Sequence, residues 1–449
     1  MTRILSMLNG FLWGIPSLLL ILSVGIFLTV RLRFAQLTLL PRALQRFAAG
    51  FRPGRKESGF RELCTALAAT VGTGNLVGVA GAICLGGPGA VFWMWLCGFI
   101  GMVTKYAEAT LAVRYRVVGE EGCLGGPMYV MEQGLGKGWK TMAAAYSVFG
   151  LIASFGVGNT AQINGVVSAA KDIFLSFDRE FGTAEQWTLG LILSLLIGSL
   201  LFGGASRIGR TAEKLVPAAA AGYLLLCLGI LILRAEAVPQ AFLSIIRGAF
   251  SPKAVTGGML GSGFRALQVG CSRGVFTNEA GMGTAAIAHG GAMVDHPVQQ
   301  GLLGIVEVFL DTIVICTMTA LVILSSGIDV PYGTDLGAEL TQRAFSSVYG
   351  VSASVFLTAA LCLFAVATVL GWGLYGARCA QYLFGDRCWR IYAGAQTVTV
   401  IAGAVLDTAL VWQFSELVNG LMVIPNLITL AAFSDEVVRL TKEYRKSGA

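Results

Sequence analysis

The sequence is short of charged residues and of the side chains that usually hold metal ions. Only 13% of its 449 residues are Asp, Glu, Lys or Arg, against about 25% in an average soluble domain. It has 2 histidines and 10 cysteines, with neither a CxxC nor an HExxH spacing. This composition excludes an ordinary soluble domain. The lack of a metal motif, or of a nucleophile with its base, also argues against a membrane-embedded enzyme.

Apolar residues are abundant instead and make up 55% of the chain. A stretch of about 20 such residues can cross a bilayer as a helix. Eleven such stretches are predicted, at residues 14–32, 62–85, 90–112, 141–170, 187–204, 215–233, 257–290, 299–325, 351–378, 391–411 and 416–433. The first is interpreted as a retained helix, because two arginines and no small-residue cleavage site follow it. The sequence therefore predicts an all-α integral membrane protein.

Lysine and arginine alternate in density between the loops that join these stretches. The loops after the first, third, fifth and ninth stretches carry several of these basic residues, as does the C-terminal tail, whereas the intervening loops carry fewer. Because cytoplasmic loops carry the excess of positive charge, we expect the N-terminus outside and the C-terminus in the cytoplasm of a plasma (inner) membrane protein. The basic linker 33–62 is expected to form an amphipathic helix against anionic lipids. The net charge of +7 then needs no nucleic-acid partner.

Glycines interrupt two of the predicted spans. Residues 65–81 read TALAATVGTGNLVGVAG, and residues 273–288 read RGVFTNEAGMGTAAIA. Each glycine inside a helix costs about 1 kcal/mol relative to alanine. In a bilayer, the backbone groups that such breaks release must line a cavity or bind a ligand, and paired broken helices mark the binding site of secondary transporters. The sequence therefore predicts a transporter with its site between the two breaks.

Other polar residues lie within the apolar segments. Asn159, Thr160 and Asn164 are expected to hydrogen-bond between helices, while Gln162 is open to either packing or a ligand. A stripe of residues spaced by four shares one helical face, as core packing or as one wall of a site. That stripe consists of Phe364, Thr368 and Trp372.

Charged residues inside the spans are expected to pair. Lys105 and Glu108 are spaced for an i, i+3 pair at the inner boundary. Arg265 and Arg273 are expected to be neutralised by nearby acids, and the candidates are Glu307, Asp311 and Glu279. Glu279 also has the alternative role of a group that titrates or binds a cation. Residues 125–138 are expected to be too rich in glycine for a helix, and residues 235–254 to form a lid or surface helix.

These motifs resemble those of the alanine or glycine:cation symporter family, the sodium:alanine symporters of the amino acid-polyamine-organocation superfamily. The matching segments are 70–82, 125–136, 273–290 and 368–376, in the expected order. The NEAGMG element within 273–290 is quite specific. The resemblance implies a leucine-transporter-type fold with about 11 transmembrane helices, two inverted five-helix repeats and two discontinuous helices. The implied units are an extra helix and basic linker at 1–58, the repeats at 59–235 and 257–433, an extracellular lid at 236–256, and a cytoplasmic tail at 434–449.

The resemblance also implies the residues of a site. A small neutral amino acid would place its carboxylate against backbone N–H groups near Thr73, Gly74 and Asn75, at the positive end of a half-helix. The rest of the substrate pocket would come from Gln162, Phe276, Asn278, Thr368 and Trp372. A sodium ion would take oxygen ligands from the backbone carbonyls of Ala68, Val71 and Phe364 and from the hydroxyl of Thr368. Ala367 stands where many carriers of this fold have a second hydroxyl.

The function implied is sodium-coupled symport of alanine or glycine by alternating access, without enzymatic activity. Two alternatives stay open beside it. One is a proton-coupled carrier in which Glu279 holds the proton, and the other is a sensor that binds an amino acid without moving it.

Overall fold

A computed structural model describes residues 2–52, 59–119, 122–251, 263–334, 336–406 and 409–447. The described chain is helical almost throughout. Up to residue 251 its helices are Thr2–Leu12, Ile15–Arg31, Ala35–Thr38, Leu40–Gly50, Phe60–Thr70, Gly74–Gly78, Val79–Gly86, Gly89–Arg114, Pro127–Val130, Met131–Leu135, Lys137–Trp139, Lys140–Phe155, Gly156–Thr160, Ala161–Ser176, Thr183–Leu201, Gly204–Leu233, Ala235–Ala237 and Val238–Phe250. Beyond it they are Gly263–Asn278, Thr284–His289, Pro297–Val308, Phe309–Cys316, Thr317–Ser325, Ala338–Tyr349, Val351–Phe384, Asp386–Cys388, Trp389–Val405, Ala409–Ala432 and Ser434–Lys446.

In the described part of the chain, each of the eleven apolar stretches predicted from the sequence contains a helix. Among the described residues, eight helices are long and apolar enough to cross a membrane. The bent pair Phe60–Thr70 and Gly74–Gly86 makes a ninth if it is counted as one span. The other two stretches hold shorter helices. One is split into pieces of 16 and 6 residues, and Trp389–Val405 has 17. The number of eleven spans therefore stays a prediction.

The Gly89–Arg114 helix lies at the centre of one half of the molecule. It packs against Pro297–Val308 and Gly263–Asn278, and the Val238–Phe250 helix lies across its beginning. There the backbones touch, because a Cβ on Gly89 would lie 2.1 Å from the carbonyl carbon of Gly248. In the other half, Val351–Phe384 packs against both Lys140–Phe155 and Ala161–Ser176. Of the two broken helices, Gly263–Asn278 packs against Gly89–Arg114, and Phe60–Thr70 packs against Val351–Phe384.

The all-α prediction is wrong at one place. Residues Val117–Gly119 and Gly122–Leu124 form an antiparallel hairpin, in which Val118 pairs with Cys123. The expectation of no helix in residues 125–138 is also wrong, since Pro127–Val130 and Met131–Leu135 are helical. Proline suits the first turn of a helix, and the flanking Gly126 and Gly136 take the positive φ angles of 128° and 90° outside it. The glycines therefore end the helical segment without interrupting it.

The basic linker forms the Leu40–Gly50 helix, as predicted, and Arg46 donates to Gln299 Oε1 at 3.4 Å. Linker residues 53–58 lie outside the described part of the chain. The C-terminal Ser434–Lys446 helix joins the ends of two spans, because Asp435 pairs with Arg31 and Glu436 Oε1 lies 3.1 Å from Arg114 Nε. The ends of those two spans therefore lie on the same side of the molecule as the C-terminal helix.

Candidate binding site

Both glycine-rich segments interrupt helices, as the sequence predicts. The first helix ends at Thr70, Val71 is extended, and the chain resumes as a helix at Gly74 with a bend of 51°. The second ends at Asn278 and resumes at Thr284. The two breaks are adjacent, because a Cβ on Gly74 would lie 3.6 Å from the side chain of Thr277.

A small cavity lies where the breaks meet. Its volume is about 20 Å³, which is enough for one or two waters. Its lining residues are Ala69, Thr70, Gly72, Thr73, Gly74, Val157, Gln162, Phe276, Thr277, Glu279, Thr368, Trp372 and Asn419. Six of the eight predicted substrate residues are in this set: Thr73, Gly74, Gln162, Phe276, Thr368 and Trp372.

The other two predicted residues, Asn75 and Asn278, stand behind the cavity wall and are fully or nearly fully buried. Asn75 Oδ1 accepts from the N–H of Gly72 at 2.9 Å, and its amide nitrogen donates to Asp311 Oδ1 at 2.7 Å. Asn278 Oδ1 accepts from the N–H of Ala280 at 3.0 Å. Each asparagine therefore satisfies a backbone donor that its broken helix has released.

The first break frees the carbonyls that the sequence assigned to a cation. In a continuous helix the carbonyl of residue i accepts from the N–H of residue i+4. The helical partner of the Ala68 carbonyl would be the N–H of Gly72, which donates to Asn75 Oδ1 instead. The helical partner of the Val71 carbonyl would be the N–H of Asn75, which donates to the carbonyl of Gly72 at 3.3 Å. Both carbonyls thus lose their usual donors.

Thr368 presents a hydroxyl to the same place. Threonines inside helices can donate to the carbonyl four residues earlier, as Thr70 and Thr277 do here. Thr368 Oγ1 is buried and has no hydrogen-bond partner among the described residues. It faces Gly72, where a Cβ would lie only 2.6 Å from it. The Thr368 hydroxyl and the two released carbonyls are neutral oxygen atoms of the kind that hard cations take as ligands. Phe364 is buried one turn before Thr368 on the same helix but does not line the cavity.

Gln162 and Trp372 both line the cavity. Gln162 Oε1 accepts from the hydroxyl of Thr73 at 3.0 Å, and Gln162 Nε2 donates to the Val157 carbonyl at 3.1 Å. Trp372 Nε1 donates to Glu279 Oε1 at 3.1 Å. Trp372 fits because Gly158 lies against it, where a Cβ would be 2.4 Å from the Cβ of the tryptophan. Of the three residues predicted to bond between helices, Asn159 donates to the carbonyl of Gln396 at 3.0 Å, whereas Thr160 donates to the Gly156 carbonyl four residues earlier, at 3.1 Å.

Asn419 and Val157 were not identified from the sequence as residues of the cavity. The partners predicted for several charged residues were also wrong. The acids expected to pair with Arg265 and Arg273 have other partners. Glu307 lies beside Lys105, Asp311 accepts from Asn75, and Glu279 accepts from Thr284 at 2.6 Å and from Trp372. Arg265 and Arg273 line a separate cavity that also contains Glu416. Sequence spacing along one helix cannot show which neighbouring helix supplies a partner.

The predicted pair of Lys105 and Glu108 is present, with Nζ 4.0 Å from Oε2. Both side chains are fully buried inside the protein, and their position at the inner membrane boundary stays a prediction.

Two larger cavities flank the central one. One, of about 190 Å³, includes Leu85 at the end of the first broken helix, and also Phe276 of the central cavity. The other, of about 250 Å³, includes Arg61 at the beginning of that helix and also Arg378. Since Arg61 and Leu85 lie at opposite ends of the first broken helix, the cavities lie on opposite sides of the central site.

Known proteins resemble this chain over its whole length. The model of the sodium:alanine symporter family matches residues 1–449. The Sodium/alanine symporter AgcS of Methanococcus maripaludis is 42% identical over 447 residues, which cover 98% of this chain and 96% of that protein. The Probable sodium/glutamine symporter GlnT of Bacillus subtilis is 38% identical over 448 residues, which cover 99% of this chain and 91% of that protein.

A solved structure has a similar fold. The crystal structure of MhsT in complex with L-phenylalanine matches with a TM-score of 0.59, and the match covers 85% of this chain and 90% of that chain. The sequence identity of 15% limits this likeness to the fold, which is that of leucine-transporter-type carriers.

Proposed function

Because the chain belongs to the sodium:alanine symporter family, we propose that it carries a small neutral amino acid, alanine or glycine, together with sodium across the membrane. It is a multi-pass membrane transporter and not an enzyme. The observation that carries the proposal is the first break. There, two carbonyls lack their helical donors, and the hydroxyl of Thr368, which has no hydrogen-bond partner among the described residues, faces Gly72 in the wall of a polar cavity.

The substrate would bind as a zwitterion between the breaks. Its carboxylate would lie against the N–H groups of Thr73 and Gly74, where the resumed helix begins and its dipole favours negative charge. Gln162, Phe276, Thr368 and Trp372 would enclose the rest. The cavity has so little space that these side chains must move apart even for alanine, and this favours a small substrate. Asn75 and Asn278 would act from behind, by holding the backbone.

Sodium would bind the carbonyls of Ala68, Val71 and Phe364 and the hydroxyl of Thr368. Four neutral oxygens leave the positive charge of the ion uncompensated, so membrane potential adds to the driving force. One charge moved through 100 mV is worth about 2.3 kcal/mol. If sodium and amino acid each favour the state that holds both, binding of one raises affinity for the other, and the sodium gradient drives uptake.

Alternating access would come from rocking of the repeat at 59–235 against the repeat at 257–433. With the N-terminus outside, the cavity at Leu85 would open outwards and the cavity at Arg61 inwards. The Val238–Phe250 helix, within the segment 236–256, would form part of an outer lid.

The experiment is counterflow of labelled alanine in proteoliposomes, with sodium or choline as the cation, on the wild type and three threonine variants. T368V removes the hydroxyl and keeps the shape, whereas T368S keeps the hydroxyl. T358V is the matched control, because Thr358 is buried on the same helix but does not line the cavity. We expect T368V to raise the sodium half-saturation concentration about tenfold or more, the scale of one polar contact to a charge. T368S and T358V should stay within about threefold of the wild type.

Other outcomes would identify the alternatives. Uptake that persists in choline and falls as external pH rises would indicate proton coupling through Glu279. Binding to purified protein without accumulation in vesicles would indicate a sensor. Stronger competition by glutamine than by alanine or glycine would overturn the assignment of substrate size.

A further inference from the structure

A single carboxylate holds the second break from behind. Glu108, on the Gly89–Arg114 helix, has a fully buried side chain. Its Oε1 accepts from the N–H of Gly281 at 2.9 Å, the N–H of Gly283 at 3.2 Å and the amide of Asn426 at 2.7 Å. The Asn426 amide also donates to the Gly281 carbonyl at 2.9 Å. Glu108 and Asn426 therefore satisfy both backbone polar groups of Gly281.

The backbone of this segment cannot satisfy these groups itself. Glu279, Gly281 and Gly283 have φ angles of 54°, 93° and 77°, which interrupt the helical pattern of donors and acceptors. An N–H group left without an acceptor in an apolar interior costs about 1–3 kcal/mol. One Glu108 oxygen takes the place of two missing helical acceptors. Because Gly281 and Gly283 both bond to it, their relative position is fixed.

Buried groups extend from Glu108 to the other broken helix. Lys105 Nζ lies 4.0 Å from Glu108 Oε2 and 3.4 Å from Glu307 Oε1, and all three side chains are fully buried. A buried charge is stable only with such partners. Glu307 Oε2 lies 2.8 Å from His289 Nε2. His289 is the last residue of the helix that resumes after the second break.

Gln300 determines the proton position on His289. Gln300 Nε2 lies 3.2 Å from the Gly59 carbonyl oxygen and 2.6 Å from His289 Nδ1. A carbonyl oxygen only accepts, so this group of Gln300 is the donating nitrogen, and His289 Nδ1 accepts from it. The proton of the neutral ring then lies on Nε2 and is donated to Glu307. The network therefore reaches Gly59, which precedes the first broken helix.

We propose that Glu108 is a positioning residue for the substrate site, which rests on the transport function proposed above. By its three hydrogen bonds it fixes the unwound segment 279–283. That segment carries Glu279, the hydrogen-bond partner of Trp372 in the cavity wall. The role needs an acceptor oxygen at Oε1 more than a negative charge, because Glu307 remains as a partner of Lys105 when Glu108 is neutral.

The first test is hydrogen exchange of the purified full-length protein, which does not depend on transport. E108A removes the acceptor, and E108Q keeps a carbonyl oxygen in its place. Because a buried N–H group without an acceptor costs about 1–3 kcal/mol and E108A leaves two such groups, E108A should speed exchange in peptides over 279–284 about tenfold or more. E108Q should change it by less than about threefold. T110A is the matched control, since the Thr110 hydroxyl is buried on the same helix and has no hydrogen-bond partner among the described residues.

The second test is alanine uptake. E108A should raise KM for alanine about tenfold and leave the sodium half-saturation concentration within about threefold, because the first break is intact. E108Q and T110A should resemble the wild type. If E108A does not fold, E108M, which fills the same space without an acceptor oxygen, replaces it and should speed exchange over 279–284 in the same way.

Three results would overturn the inference. They are wild-type exchange over 279–284 in E108A or its substitute, equal damage by E108Q and E108A, and faster exchange throughout the chain, including 389–405. Failure of the transport proposal looks different, because wild-type vesicles would then show no sodium-dependent uptake while the exchange pattern at 279–284 still distinguished the variants.

Discussion

The two interrupted helices differ in what fills the gap. At the first break, Gly72 to Gly74 have one side-chain substitute for a helical partner, Asn75, and no described residue from 71 to 74 has a positive φ. At the second break, Asn278, Glu108 and Asn426 all bond to the backbone, and three residues have positive φ. The first break leaves oxygens open, whereas the second is occupied by the protein's own side chains.

This difference indicates a division of labour. A backbone with ordinary φ angles and few partners can adjust when an ion or an amino acid arrives. A backbone fixed by three side chains and by glycine conformations adjusts at a large cost, and so forms a rigid wall. We therefore expect side chains added to the glycines of the second break to act mainly on folding, and those added to the glycines of the first to act on transport.

The largest effect should come from Gly283 at the second break. In G283A, a Cβ would lie 2.4 Å from Pro127 and 2.6 Å from Asn426 Oδ1, at a φ of 77°. Strain and overlap together should destabilise the protein by about 3 kcal/mol or more. Thermal unfolding in detergent, monitored as the loss of monodisperse protein, would measure this destabilisation.

The control is G385A, at a φ of 85° with nothing within 4 Å of the added Cβ. It carries the backbone strain alone and should lose only about 1–2 kcal/mol. A G283A protein as stable as G385A would show that the second break is not a rigid wall.

The next effect concerns Gly72 at the first break. G72A has no positive φ to strain it, but its Cβ would lie 2.6 Å from Thr368 Oγ1. We expect folded protein in which the hydroxyl is displaced and sodium-driven alanine uptake falls at least about tenfold. Uptake and thermal unfolding measured on the same preparation distinguish a loss of transport from a loss of folded protein.

G78A is its control in the same segment, because an added Cβ lies 3.7 Å from the nearest atom, Thr277 Oγ1. Uptake by G78A should stay near that of the wild type. Equal loss in both variants would mean that the first break responds to any added side chain and not to the position of Thr368.

The positions of the breaks could be predicted from the sequence because glycine destabilises a helix. Several glycines within one apolar stretch therefore indicate an interruption. The stripe of Phe364, Thr368 and Trp372 could likewise be predicted, since helical periodicity brings residues spaced by four to one face. All three are buried, and two of them line the cavity.

The partners across helices could not be predicted. Glu108 and Asn426 are separated by 318 residues, and no periodicity relates them. The network around Lys105 appeared only as an i, i+3 pair, because Glu307, His289 and Gln300 come from later parts of the chain. The roles of Asn75 and Asn278 also depend on the direction of their side chains. The sequence resemblance assigns both to the substrate pocket, although their side chains bond to the backbone behind the cavity.

The smallest effects are expected for substitutions of Asn75 and Asn278, which should differ in the solute that they affect. In N75A the Gly72 N–H loses its acceptor and is free to rejoin the carbonyl of Ala68, which would withdraw one proposed sodium ligand. The sodium half-saturation concentration should rise about tenfold. In N278A only the N–H of Ala280 loses its acceptor, while Glu108 still holds Gly281. The KM for alanine should then rise by about threefold or less, with sodium dependence unchanged.

Titration of uptake against both solutes in the two variants measures this contrast, and thermal unfolding shows that each is folded. If N75A instead raised the KM for alanine and left sodium dependence as it was, Asn75 would contact the substrate directly. The first break would then be filled by a side chain in the way that the second is, and the two helices would differ in degree only.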